Sequence, residues 1–203
     1  MSKFKQWSSN ATKSVLGVEA HLFLAYAFIT FRPGATPPLL PAGNTPQPKP
    51  VPADWTDDER SIFIEESRLD VAAQQADKRD IRARAQITLT TAIVLGGTWV
   101  NSLSARNDLC GRGMVLYGLA GLALASSVLA SGGIISARSP IGTVSVIALT
   151  HYEKGEIHQK VAEGYATTRL VGARTIATLV TVLRDCVLAL VLGAILLAVA
   201  HLT

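Results

Sequence analysis

The chain has 203 residues, a formal net charge of +4, 49% hydrophobic residues and only 17% charged ones. A positive mean hydropathy of +0.32 and apolar residues segregated into blocks argue against one soluble core. The basic surplus, with a pI of 9.3, sits beside those blocks and is mixed with acids. That pattern suits flanks against anionic lipid and argues against nucleic acid as a partner.

Residues 1–31 form an N-terminal apolar segment preceded by Lys3, Lys5 and Lys13. Glu19 and His21 interrupt its apolar run, so residues 15–31 read as a surface or packing helix. A fourth span is one alternative. A signal peptide, suggested by Ala25-Tyr26-Ala27, is another. Residues 32–55 hold most of the prolines and read as an extended, mobile linker.

Thr56-Asp57-Asp58-Glu59 is a capping box that opens a cytoplasmic helix over residues 56–86. Good helix formers follow, with no Gly or Pro before residue 87. A stripe of Ile62, Leu69, Ala73, Ala76, Ala83 and Ile87 recurs at helical spacing. The helix is expected to run straight into the first span, residues 87–105. That stretch is softened by Thr88, Thr90, Thr91 and Thr98 but uncharged up to Leu103, and Trp99 suits an interfacial anchor.

A bilayer core about 30 Å thick needs roughly 20 apolar residues in a helix. Residues 114–135 meet that length without a charge and form the second span. After it, residues 136–182 make a cytoplasmic segment and helix. Within them, residues 141–150 are apolar but too short to cross. Ile157, Val161, Tyr165, Thr168, Gly172, Ile176 and Leu179 repeat at intervals of three or four and lead into the third span, residues 183–202. The two long helices are thus continuous with the first and last spans, and a coiled coil between them, or between subunits, is expected.

Orientation follows from the basic residues. Lys78, Arg79, Arg82 and Arg84 precede the first span, Arg138 follows the second, and Arg169, Arg174 and Arg184 precede the third. The positive-inside rule places these ends in the cytoplasm of a multi-pass protein of the cell membrane. The connector with Arg106 and Arg112, and the C-terminus, lie outside. Arg82, Arg84, Arg174, Arg184 and Asp185 are then membrane-edge charges. At mid-membrane Arg184 or Asp185 would each cost about 2.5–3.5 kcal/mol.

Small-xxx-small pairs mark helix packing in lipid: Ala92 with Gly96, Gly121 with Ala125, Ser127 with Ser131, and Ala189 with Gly193. His151, Glu153, Glu156 and His158 cluster without a zinc spacing and read as solvated polar residues, so no metal is expected. Cys110 and Cys186 fall on opposite sides of the membrane in this topology, which argues against an internal disulfide. No nucleophile–base pair, paired catalytic carboxylates or phosphate loop is found, so an enzyme and a cofactor are not expected.

Ala76-Asp77-Lys78, the Arg82-Ala83-Arg84-Ala85 run, and Thr168-Arg169-Leu170 with Arg174 sit in the order long helix, hairpin, long helix, last span. Over residues 56–202 this resembles the superfamily of small bacterial membrane proteins that includes the Pycsar transmembrane effectors and the SLATT proteins. The resemblance implies antiphage defence, with a nucleotide second messenger driving assembly and membrane disruption. Pycsar-type sequences usually carry Asp-x-Lys-Ala near the first span. Here Asp77 and Lys78 are adjacent and further upstream, and no ligand-binding residue carries over. Two functions follow as expectations. One is a non-catalytic membrane scaffold or accessory subunit, working as a homo-oligomer or with a membrane-protein partner. The other is a defence effector that assembles on a cytoplasmic signal.

Overall fold

The structure, a computed structural model, describes residues 17–41, 51–52, 54–105, 112–138 and 156–202. These residues fold into four helices: α1 (Gly17–Ile29), α2 (Asp57–Ala105), α3 (Arg112–Ser136) and α4 (Ile157–Leu202). No strand occurs among the described residues, in keeping with the all-α expectation. Lys3, Lys5, Lys13, Arg106, Cys110, residues 141–150, His151 and Glu153 lie outside the described residues.

The start of α2 is built as its sequence dictates. Glu59 N–H donates to the Thr56 hydroxyl at 3.3 Å, and Thr56 N–H donates to the Glu59 carboxylate at 2.8 Å. Two orphan amides are thereby satisfied, with Asp57, Asp58 and Glu59 favourably placed against the helix dipole. The Thr56 N–H, and after it the Thr56 hydroxyl, donate to the Glu59 carboxylate and hold its carboxyl below the ordinary pKa. No proline interrupts the 49 residues that follow.

The apolar stripe of α2 is exposed among the described residues. Ile62, Leu69 and Ile87 are 65%, 62% and 67% exposed. The buried face instead carries Ser67, Val71, Ile81, Ala85, Thr88 and Ala92, at intervals of three and four where the pattern is continuous. Short side chains let a neighbouring backbone come close, whereas the bulkier Ile/Leu stripe would hold it off. Sequence periodicity alone offers both faces.

The described parts form two compact units, one drawn from Met1–Pro38, Ile81–Arg138 and Leu179–Thr203, the other from Leu39–Asp80 and Ser139–Thr178. In the first, the α2 and α3 segments run antiparallel. Arg82 donates to the Ala137 carbonyl at 2.6 Å, and Trp99 Nε1 donates to the Tyr117 carbonyl at 2.8 Å. Within it α4 is also antiparallel to α3, because Ser127 bonds the Cys186 carbonyl at 2.9 Å while Tyr117 meets His201. Tyr117, Ala120, Leu197 and Ala200 form a small core, with Trp99, Leu103, Leu116 and Leu196 packed on it.

α1 closes this unit by burying Leu22, Tyr26 and Ile29. Its backbone lies hard against α3, where a Cβ at Gly133 would come within 1.8 Å of the Tyr26 carbonyl oxygen. The Thr30 hydroxyl donates to the Leu129 carbonyl. Gly34, at φ +83°, donates to the Ser136 carbonyl at 3.0 Å, and Arg138 N–H donates back to the Ala35 carbonyl at 3.0 Å.

The second unit pairs the beginnings of α2 and α4 in parallel. His158 faces Asp57 at 3.7 Å, Arg169 forms an ion pair with Asp70, and Gln74 donates to the Arg169 carbonyl at 3.1 Å. Gly172 makes room for the Gln74 amide, which a Cβ there would overlap at 1.8 Å. Arg174 donates to the Leu40 carbonyl at 3.2 and 2.7 Å, and Leu40 N–H donates to the Thr178 hydroxyl at 3.0 Å. Part of the proline-rich connection expected to be mobile is therefore pinned at both polar groups of Leu40.

Candidate functional site: the apolar shell of the first unit

Two helices are long and apolar enough to cross a membrane, Gly113–Ser136 and Ile157–Leu202. Only 28% and 22% of their most apolar windows are buried. A core helix of a soluble protein turns most of such a stretch inward. Here Leu119 and Leu122 on α3, and Leu188, Leu192 and Ile195 on α4, point away from the protein. Contiguous apolar surface of this kind marks contact with lipid or with another protein.

The apolar half of α2 does not stand among the two, being diluted by four threonines and Asn101. Its side-chain hydrogen bonding offsets part of that dilution. Thr88, Thr90 and Thr91 donate to the carbonyls of Arg84, Gln86 and Ile87 at 2.9–3.0 Å, and Thr98 donates to Leu95 at 2.7 Å. Every threonine hydroxyl in the segment is thus satisfied by its own helix, which removes most of the penalty of leaving water. Ile93, Val94 and Val100 on the same segment are exposed.

The small residues fall into two groups. Ala92 is buried, a Cβ at Gly121 would lie 2.5 Å from the Trp99 ring, and one at Gly193 would lie 2.9 Å from Leu124. These sites allow close helix approach. Gly96 has nothing within 4 Å of its Cβ position, and Ala125 is exposed, so among the described residues neither is crowded by a neighbouring helix. Ala189 is half-buried, Ser127 bonds Cys186, and Ser131 is buried.

Charge collects at one end of the unit. Arg184 bonds Glu19 at 3.0 Å and its neighbour Asp185 at 2.9 Å, while Arg82 reaches the α3 terminus. Arg84 and Arg138 are exposed. Toward the other end, His201 lies 3.1 Å from the Ser102 hydroxyl and 3.3 Å from that of Tyr117. Of the proposed membrane-edge charges, Arg174 belongs to the second unit, where it holds Leu40. Among the described residues no group of three His, Cys, Asp or Glu side chains could hold a metal. Cys186 is a buried free thiol.

The Glu19–Arg184 pair, the Gly133–Tyr26 contact and the Gln74–Gly172 fit are long-range and leave no periodic trace in the sequence. The threonine pattern was visible, and its spacing of three to four residues from an acceptor carbonyl follows from the helix alone. Comparison with known protein families, with curated proteins and with solved structures finds no match.

Proposed function

We propose that the chain is a multi-pass helical membrane scaffold or accessory subunit without catalytic activity of its own. Its spans are residues 87–105, 114–135 and 183–202. The N-terminal side and residues 136–182 lie in the cytoplasm, and the connector after the first span and the C-terminus lie outside. The carrying observation is the outward-facing apolar surface of the first unit. Self-satisfied threonines on α2 support a third span. The basic end formed by Arg82, Arg84, Arg138 and Arg184 supports the sidedness.

The test uses the chain's own thiols. In a C186S background, Cys110 should react with an impermeant maleimide added to intact cells. In a C110S/C186S background, E66C should react only after permeabilisation. Reversed labelling overturns the sidedness. Release of the protein by carbonate washing overturns the membrane reading itself.

One observation favours a second reading, a defence effector that assembles on a cytoplasmic signal and disrupts the membrane. α2 and α4 each join a polar stretch and an apolar one in a single unbroken helix, which is the element an effector of this kind needs. Induced overproduction should then depolarise cells, and deletion of residues 56–86 should change that response. Unaltered membrane potential and growth count against it.

A further inference from the structure

α1 has two apolar faces, and one of them is turned outward among the described residues. Leu22, Tyr26 and Ile29 are buried, whereas Leu24, Phe28 and Phe31 are 57%, 71% and 69% exposed. The outer face borders a groove of about 480 Å³ lined by Ala25, Phe28, Ile29, Phe31, Arg32 and Pro38. A volume of several hundred Å³ accommodates a small organic ligand or part of a larger one. Its walls are mostly hydrocarbon and aromatic, with Thr36 as a polar lining residue, and among the described residues no acid lines them and Arg32 is their one charged group.

The Arg32 guanidinium is exposed and has no ion-pair partner among the described residues. Three residues on, Ala35 accepts the Arg138 N–H, which puts Arg32 at the basic end of the unit together with Arg138. A hydrocarbon trough with a guanidinium at its rim matches an amphiphile that has an apolar tail and an anionic head. A small soluble anion would leave the trough unfilled, and a guanidinium binds phosphate oxygens through paired N–H groups.

We propose that this groove holds one anionic phospholipid, an acyl chain lying against Phe28, Ile29 and Pro38 and the phosphate resting on Arg32. The site builds on the membrane reading above and adds to it a defined lipid, headgroup charge and contact residue. α1 then serves as a lipid-bound collar on α3, and the exposed phenylalanines become buried against the tail.

Native mass spectrometry of the full chain in mild detergent, with matched amounts of phosphatidylglycerol or phosphatidylcholine, tests the site. One phosphatidylglycerol should be retained at about five times the phosphatidylcholine occupancy, as one basic residue near an anionic surface implies. R32A should abolish the preference, and F28A/F31A should lower occupancy by both lipids. R68A, which removes an equal charge from the second unit, should leave both unchanged. Equal retention of the two lipids, or equal losses in R32A and R68A, overturns the site while carbonate-resistant membrane association keeps the membrane reading intact. A protein released by carbonate would lose both.

Discussion

The two units are built largely from the same two helices, yet they hold those helices by different means. In the second unit, polar groups connect the elements: Asp70 with Arg169, Gln74 with the Arg169 carbonyl, and Arg174 with Leu40. In the first, short side chains and glycines bring backbones together, the α2 threonine hydroxyls bond back to their own helix, and the apolar surface faces outward. Water rewards burial of apolar area, so a water-facing region keeps charge outside. Lipid gives no such reward, and there close packing and satisfied hydrogen bonds must hold helices together.

An exposed leucine therefore should mean different things in the two regions. Leu122 and Leu69 are 68% and 62% exposed. Leu122→Arg should impair membrane insertion by about 2.5–3.5 kcal/mol if it lies near mid-bilayer, read as the inserted fraction in a translocation assay. Leu69→Arg should stay within about 0.5 kcal/mol, as for surface substitutions in water. Equal effects would erase the distinction between the units.

Packing should rank next. Gly133→Ala drives a methyl into the Tyr26 backbone and should cost about 1–3 kcal/mol, measured by denaturant titration in micelles. Faster trypsin cleavage at Arg32 would locate the damage at α1. Unchanged stability and cleavage would mean that α1 does not sit on α3.

Arg184→Ala should matter less. Both Arg184 and Glu19 retain solvent contact, at 53% and 25% side-chain exposure, and exposed ion pairs contribute about 0–1 kcal/mol. The loss should shrink further at high salt. A larger, salt-insensitive loss would place the pair away from water.

The smallest effect concerns the cap. Glu59 has a folded-state pKa below its ordinary value because Thr56 donates to its carboxylate. The cap's contribution is therefore present above the ordinary carboxylate pKa and is lost as pH falls through the lower folded value. Hydrogen exchange of the first α2 turn should rise over that acidic window, after correction for intrinsic exchange. Glu59→Gln should remove the dependence, and Thr56→Ala, which keeps the backbone donor, should only weaken it.

The helices were largely legible from the sequence. Uninterrupted helix formers fixed α2, the Thr56–Glu59 spacing fixed its start, and the uncharged run of α3 fixed its character. The apolar shell was legible for the same reason, since it is a property of composition along a helix. The face that α2 buries within the chain was not legible. Ile62, Leu69 and Ile87 form the more hydrophobic stripe, but Ser67, Val71 and Ala85 form the buried one.

Local energetics alone determined that these residues are helical and where the hydrocarbon lies along them, because capping, propensity and hydropathy act over a few neighbouring positions. Tertiary structure decided which stripe is buried, that Gly133 admits α1, that Arg184 reaches Glu19, and that Leu40 is held by α4. Each of those outcomes depends on the distance between backbones far apart in the chain. A side chain's periodicity cannot state that distance; only the fit between surfaces sets it.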